Sequence, residues 1–165
     1  MRLTINIQGL AAMQQAMRQV PDVARRELLA ACWQAAMLLQ REWSDRTPRV
    51  TGALAGSIKA DASATPTGAF GRVASSSPVA QFVELGTRPH MPPVSALVPW
   101  VRAVLGIQEP KELERVAYLV ARKIARCGTP AQRPMQQAVD ACGSQIAGIF
   151  DAAAERLAAA MGRRA

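Results

Sequence analysis

A chain of 165 residues in which 50% are apolar but only 4% aromatic has enough material for one core, built mainly from Ala, Val, Leu, Ile and Met, without metals or disulfides to hold it. The formal net charge is +8, and all but three of the 20 basic residues are arginines, whose guanidinium groups suit carboxylates and phosphates. This bias favours a protein interface or DNA as the partner, although a GC-rich genome would produce it too.

The N-terminal part of the chain has the pattern of a strand followed by helices. Leu3, Ile5 and Ile7 alternate with polar residues, which predicts a half-buried strand, and residues 10–19 predict a short helix. Pro21 then opens a longer helix, which ends at Thr47-Pro48 because the residue before proline resists the α conformation. The predicted buried face of that helix consists of Ala24, Leu28, Ala31, Ala35, Leu38 and Glu42, of which only the last is polar.

A polar β-hairpin is predicted over residues 57–76. Its strands, residues 57–64 and 69–76, are separated by a Thr-Pro-Thr-Gly turn. Lys59, Asp61 and Arg72 cannot all be buried, so an exposed hairpin that pairs with a neighbouring chain is one interpretation, and a surface loop is the other.

Three further segments lie between the hairpin and the last helix. Residues 78–85 are short and apolar and fit a helix or a strand, and residues 95–105 predict a helix with Pro99 in its first turn. Pro110–Cys127 has the strongest helix signals, with acidic residues first, basic residues last and a glycine after its end. Its predicted buried stripe consists of Leu113, Val116, Ala117, Val120 and Ile124.

A final long helix begins at Pro134. One side of it carries Ala138, Cys142, Ile146, Ile149, Ala153 and Leu157. Gly143 and Gly148 weaken this helix but would let another helix approach closely. The order of elements predicts a single α+β domain over residues 1–165, in which a small antiparallel sheet with a protruding hairpin packs against long N- and C-terminal helices.

The sequence contains none of the patterns that mark common enzyme sites. His90 is the only histidine, which excludes histidine triads and relays, and no glycine-rich phosphate loop is present. Cys32, Cys127 and Cys142 form no C-x-x-C pair and fall on apolar stretches, so we expect three small hydrophobes in a reducing compartment. There is no signal peptide and no apolar run of roughly 20 residues. We therefore expect a soluble intracellular protein with no catalytic residues, cofactor, metal or membrane partner.

Two charged features have plain structural interpretations. Glu84 lies between apolar neighbours just before Gly-Thr-Arg, so we expect it to pair with an arginine, either Arg88 or one from another subunit. The helix that starts at Pro110 is basic at its C-terminal end and contains Tyr118, the lone tyrosine, but no pattern for base readout. Contact with DNA phosphates through general charge stays open as the alternative function, that of a non-sequence-specific DNA-binding protein.

Two ordered motifs occupy the middle of the chain. The first is Thr51-Gly52-x-Leu54-x-x-Ser57, preceded by Pro48; the second is Val83-Glu84-x-Gly86-Thr87-Arg88, and Arg133-Pro134 follows where the last helix opens. At these spacings the set resembles the neck, or tail-completion, proteins of lambdoid siphophages, over roughly residues 20–149. The family usually has a tyrosine where Val79 stands, and residues 92–127 lengthen its usual connector with two helices.

The resemblance implies a non-enzymatic structural protein of the virion, assembled in the cytoplasm of the bacterial host, that joins the DNA-filled head to the tail. It implies a ring of identical subunits, sixfold in symmetry, between a head-side connector or stopper protein and the tail terminator or tail tube, around the DNA channel. The residues that it assigns to subunit contacts and assembly are Thr51, Gly52, Leu54, Ser57, Glu84, Gly86, Thr87 and Arg88. On this interpretation Glu84→Ala or Gly86→Val would block assembly and leave the subunit folded.

Overall fold

The computed structural model of the protein describes residues 2–3, 22–66 and 68–162. Its elements are β1 (Arg2–Leu3), α1 (Asp22–Arg46), α2 (Ala53–Gly56), β2 (Ile58–Thr65), β3 (Gly68–Ser75), α3 (Val79–Leu85), α4 (Val94–Leu105), α5 (Pro110–Cys127) and α6 (Pro134–Gly162). The strands form an antiparallel sheet in the order β1-β3-β2, and α1 packs against it, so the α+β prediction is confirmed. Beyond Leu3, the predicted N-terminal strand and the helix over residues 10–19 lie outside the described residues.

Helix α1 is the central element of the fold. It ends before Thr47-Pro48 as predicted, and the Thr47 hydroxyl donates to the Trp43 carbonyl at 2.7 Å, which closes the last turn. The prediction for its buried face is wrong at the C-terminal end, where Leu39 and Trp43 are buried and Leu38 is only half-buried. The reason is that α1 contacts both the sheet and α6, so it buries a face wider than one stripe.

Helix α6 runs antiparallel to α1 and completes the main core. Arg156 pairs with Glu27 at 2.8 Å near one end of the two helices, and toward the other end Cys142 of α6 is buried in a cluster with Leu39 and Trp43 of α1. Ile149 is half-buried rather than buried. A Cβ atom added at Gly143 or Gly148 would meet nothing within 4 Å, so the expected close approach of another helix at these glycines does not occur within the described chain.

The hairpin forms close to its predicted position, with each strand shifted by one residue or less at its ends. Its inner face, which includes Ile58 and Val73, is buried, and a Cβ at Gly71 would lie 2.8 Å from the Cys32 carbonyl oxygen of α1. The outer face is polar and open: Asp61 stands directly opposite Arg72 in the register, and their charged atoms are 3.8 Å apart. Lys59, Asp61 and Arg72 are all exposed, as expected.

Helices α4 and α5 form a hairpin with a small core of its own around Val101, Leu113 and Ala117. These two helices occupy most of the predicted insert, residues 92–127. Pro99 lies in the second turn of α4, not the first, on an exposed face where water can solvate the carbonyl that lacks a donor. Cys127 is exposed, unlike the buried Cys32 and Cys142, because it is the last residue of α5 and lies off the side that packs on α4.

Candidate assembly site

The first motif forms the corner between α1 and the hairpin. Gly52 has a φ of 78°, the left-handed conformation that glycine adopts without strain, and the Thr51 hydroxyl accepts a hydrogen bond from the Ala53 N–H at 3.3 Å. The Ser57 hydroxyl donates to the Leu54 carbonyl at 2.6 Å and lies 2.7 Å from the Ser75 hydroxyl. These hydrogen bonds fix the direction in which β2 begins after the corner.

The second motif fastens α3 to the start of α6. Glu84 is 3% exposed, and its two carboxylate oxygens accept hydrogen bonds from the backbone N–H groups of Met135 and Gln136, at 2.8 and 3.0 Å. These N–H groups belong to the first turn of α6, where a helix has no internal acceptors and its dipole favours negative charge. The expected pairing of Glu84 with Arg88 is therefore wrong: Glu84 caps a helix, and it is in no ion pair among the described residues.

Two glycines, one in each of the chain segments beside this cap, allow the two backbones to come into close contact. Thr87 and Thr129 form an antiparallel bridge, with N–H···O distances of 3.0 and 3.2 Å and hydroxyl oxygens 3.0 Å apart. Gly86 has a φ of 72° and Gly128 a φ of 69°, and a Cβ at either would overlap a backbone carbonyl oxygen across the bridge, that of Thr129 or Thr87. The glycines are needed because the two backbones approach too closely for a side chain.

The structure brings the first motif close to Val83 of the second motif, while residues 86–88 of the second motif line a separate cleft. A cleft of about 360 Å³ is lined by residues 50–54 together with Val79 and Val83 of α3 and Trp100 of α4. A second cleft, of about 430 Å³, is lined by Phe82 and residues 86–90. Arg88 lines this second cleft and is exposed, whereas Glu84 lines neither.

The structural roles of Glu84 and Gly86 change what their variants would test. Glu84 and Gly86 have intramolecular roles, so Glu84→Ala and Gly86→Val will first destabilise the subunit. They therefore test folding, and the expectation that they would leave the subunit intact is not supported by the geometry. The exposed candidates are Thr51, Gly52 and Arg88, while Leu54, Ser57, Gly86 and Thr87 are half-buried.

The outer edge of β2 is covered by a side chain along part of its length and open along the rest. The Gln40 side-chain amide donates to the Ile58 carbonyl at 3.0 Å and accepts from the Ala60 N–H at 3.1 Å. Alternate residues of a strand point their N–H and C=O groups to the same edge, so those of Ala62 and Ala64 face the same way as Ala60's. No hydrogen bond joins the outward backbone groups of Ala62 and Ala64 to the described part of the chain.

Two large apolar side chains flank the open part of this edge. Trp33 and Met37 precede Gln40 by seven and three residues, so all three lie on one side of α1. The N-terminal half of α1 lies along the hairpin near Ala62, as the cluster of Leu28 and Cys32 with that residue indicates. Trp33 is 47% and Met37 46% exposed. We refer to the backbone of Ala62 and Ala64 with Trp33 and Met37 as the edge surface.

A second apolar surface surrounds the second motif. The outward side of α3 carries Val79, Phe82 and Leu85, which are 50%, 48% and 70% exposed. It adjoins the cleft formed by residues 86–90. We refer to these three side chains and that cleft as the α3 surface. It lies on other elements than the edge surface, so one subunit presents two different apolar patches.

The edge surface was not predicted from the sequence, although a signal for it was present. Trp33 and Met37 are large apolar residues on a helix whose predicted core stripe does not include them, and such residues mark a second contact. Among the described residues, no three His, Cys, Asp or Glu side chains cluster as metal ligands would. No helix in the described ranges is both long and apolar enough to span a bilayer.

Comparison of the chain with protein-family models, with curated proteins and with solved structures finds no match in any of the three.

Proposed function

We propose that the protein is a structural subunit of a bacteriophage neck, which joins the DNA-filled head to the tail without catalysing a reaction. Copies of the subunit form a closed ring, sixfold as in the family that the motifs resemble. The head-side partner is a connector or stopper protein, and the tail-side partner is a terminator or tube protein. The observation that carries this proposal is the presence of two unlike apolar patches, the edge surface and the α3 surface, on a chain whose motifs resemble neck proteins.

The two patches suit a ring because a ring contact is heterologous: a different surface of each neighbour takes part, and repetition of the contact closes the circle. The open edge of β2 supplies backbone hydrogen bonds to an extended segment, and Trp33 and Met37 supply apolar area beside them. The α3 surface supplies a largely apolar counterpart in Phe82 and Leu85. In the proposed ring, the edge surface of each subunit meets the α3 surface of the next.

A genetic experiment tests the joining role directly. A phage or prophage with a nonsense codon early in this gene should produce filled heads and separate tails, visible by electron microscopy of lysates. Protein supplied from a plasmid should restore joined particles. Normal joined particles in the absence of the protein would refute the proposal.

The same system tests whether the edge surface contributes to assembly. Met37→Lys places a charge within the proposed contact, while Gln145→Lys adds the same charge at an exposed position of α6, which belongs to neither the edge surface nor the α3 surface. Both positions are exposed, so neither change disturbs the core. We expect Gln145→Lys to restore joined particles and Met37→Lys to restore at most about a tenth as many, because an interface excludes unpaired charge. Equal rescue by the two variants would remove the edge surface from the proposal.

A further inference from the structure

Four basic residues lie along the exposed side of α5, from its first turn to its last. Lys111, Arg115, Arg122 and Arg126 are separated by four, seven and four residues, spacings that return to one side of an α-helix. The opposite side, with Leu113, Ala117 and Ala121, is buried. We refer to the four cations as the basic stripe. From the sequence, basic charge was expected only at the C-terminal end of this helix. The stripe becomes evident once the buried face of the helix is known.

The cations of the basic stripe are free for a partner. All four are exposed, and none takes part in an ion pair within the described residues. Five arginines elsewhere, by contrast, pair with carboxylates of the chain: Arg41, Arg46, Arg49, Arg72 and Arg156. The two acidic residues of α5, Glu112 and Glu114, lie on either side of the stripe rather than within it.

The position of α5 in the fold makes the stripe accessible. Helix α5 packs on α4, and neither helix makes a comparably extensive contact with another described element. The stripe therefore faces away from the contact that holds α5 in place. The Arg122 guanidinium carbon lies 5.9 Å from the centre of the Tyr118 ring, a cation–π contact that helps to hold this side chain over the exposed face.

The dimensions and the arrangement of charge favour a nucleic acid backbone as the partner. Fifteen residues separate Lys111 from Arg126, or about 22 Å along the helix, a length over which duplex DNA carries about 13 phosphate charges. An acidic protein would be the other polyanion, but the centre of a protein interface is mainly apolar. In α5 the order is reversed: the cations are central, and the apolar Tyr118 and Leu119 lie to either side.

We propose that the basic stripe of α5 binds the phosphate backbone of double-stranded DNA without reading its sequence. The contact is electrostatic, because phosphates carry no sequence information and α5 presents no amide side chain within the stripe for a base edge. This proposal is independent of the neck role. A neck subunit would use the stripe beside packaged DNA, and a DNA-binding protein outside a virion would use it in the same way.

Fluorescence anisotropy with a labelled duplex of roughly 20 base pairs, between about 50 and 200 mM salt, tests the proposal. The test variant is Arg115→Glu with Arg122→Glu, and the matched control is Arg25→Glu with Arg26→Glu, which changes net charge equally at the exposed start of α1. For the wild type, four phosphate contacts predict a slope of log K against log salt of about −3.6. The test variant should lose at least about tenfold in affinity and about 1.8 units of slope, and the control should lose less than about threefold.

Each other outcome overturns the proposal. Equal losses of affinity in the two variants would mean that DNA binding depends on the net charge of the protein and not on the basic stripe of α5. Failure of the wild type to bind the duplex, together with salt-sensitive binding to polyglutamate that the test variant loses, would assign the stripe to an acidic protein. Circular dichroism of all three proteins must show equal helix content, which is expected because the four substituted positions are exposed.

Discussion

The Glu84 carboxylate accepts a hydrogen bond from the backbone N–H of Met135 at 2.8 Å, across 51 residues of chain. The same carboxylate accepts a second bond from Gln136, so one buried side chain near the end of α3 caps the first turn of α6. Between these two points the chain makes the excursion that contains α4 and α5. The cap and the Thr87–Thr129 bridge close that excursion at its base. The residues that look most like a functional motif in the sequence therefore have a structural task that is visible within one subunit.

Replacement of Glu84 should reduce stability. Glu84→Ala removes two hydrogen bonds to a charged group and leaves two N–H groups without their acceptors, which should cost about 3 kcal/mol of unfolding free energy. Glu84→Gln keeps one acceptor oxygen without the charge and should cost about half as much. Urea denaturation checks both, with the exposed Glu155→Ala as the control. If Glu84→Ala unfolded at the same urea concentration as the control, the cap would have no energetic importance.

The glycines of the chain should divide into two groups with opposite effects. Gly86→Ala and Gly128→Ala each place a Cβ against a backbone carbonyl at a positive φ, so we expect each to cost about 3 kcal/mol or more, or to prevent folding. Gly143→Ala and Gly148→Ala add a methyl group in open space on a helix and should each stabilise the protein by about 0.5–1 kcal/mol. Thermal melting of the four variants distinguishes these outcomes. Destabilisation at Gly143 or Gly148 would indicate a contact there that a single subunit does not reveal.

Two interface variants should complement each other if the proposed ring contact is correct. Met37→Lys disrupts the edge surface and leaves the α3 surface intact. Leu85→Lys disrupts the α3 surface and leaves the edge surface intact. Neither variant should self-associate, but one intact surface of each remains, so a mixture should form dimers that contain one copy of each variant and cannot grow into rings. Sedimentation velocity and native mass spectrometry would detect these mixed dimers. Rings in either variant alone would show that its substituted residue lies outside the contact.

The cysteines should differ in reactivity according to their burial. Burial raises the pKa of the Cys32 thiol, and burial together with the negative charge of Glu42 raises the pKa of the Cys142 thiol, so both stay protonated near neutral pH. Cys127 is exposed at the end of α5. Maleimide should label one thiol per folded chain and three after denaturation. Rapid labelling of a second thiol in the folded protein would show that α1 and α6 separate readily.

The raised thiol pKa values also predict a loss of stability at alkaline pH. In the unfolded chain both thiols ionise near pH 8.5, whereas in the folded chain they keep their protons to higher pH. The folded state then binds more protons than the unfolded state, so the free energy of unfolding should fall as pH rises above about 8.5. Urea denaturation at pH values of about 7.5 and 9.5 measures the loss. A Cys32→Ala, Cys142→Ala double variant should lose less, and an equal loss would assign the effect to other groups.

The sequence by itself determined the features that depend on neighbouring residues. Pro48 ends α1 by disfavouring the α conformation at Thr47, while Pro110 opens α5 and Gly128 follows its end through their own backbone properties. The hairpin prediction depended on two strand-like segments and the Thr-Pro-Thr-Gly turn between them, which are also local signals. These signals operate within one or two turns of chain, so they needed no knowledge of the fold.

Only the tertiary structure decided which group meets which over long separations. The acceptor role of Glu84 depends on where α6 begins in space. A carboxylate that caps a helix 51 residues away has the same local sequence pattern as one that pairs with an arginine. In the same way, Trp33 and Met37 become a candidate contact because Gln40, on the same side of α1, covers only part of the edge of β2. The basic stripe became evident once packing against α4 had selected the buried side of α5. Burial is a property of the assembled core, and the core selects among faces that the sequence alone leaves equivalent.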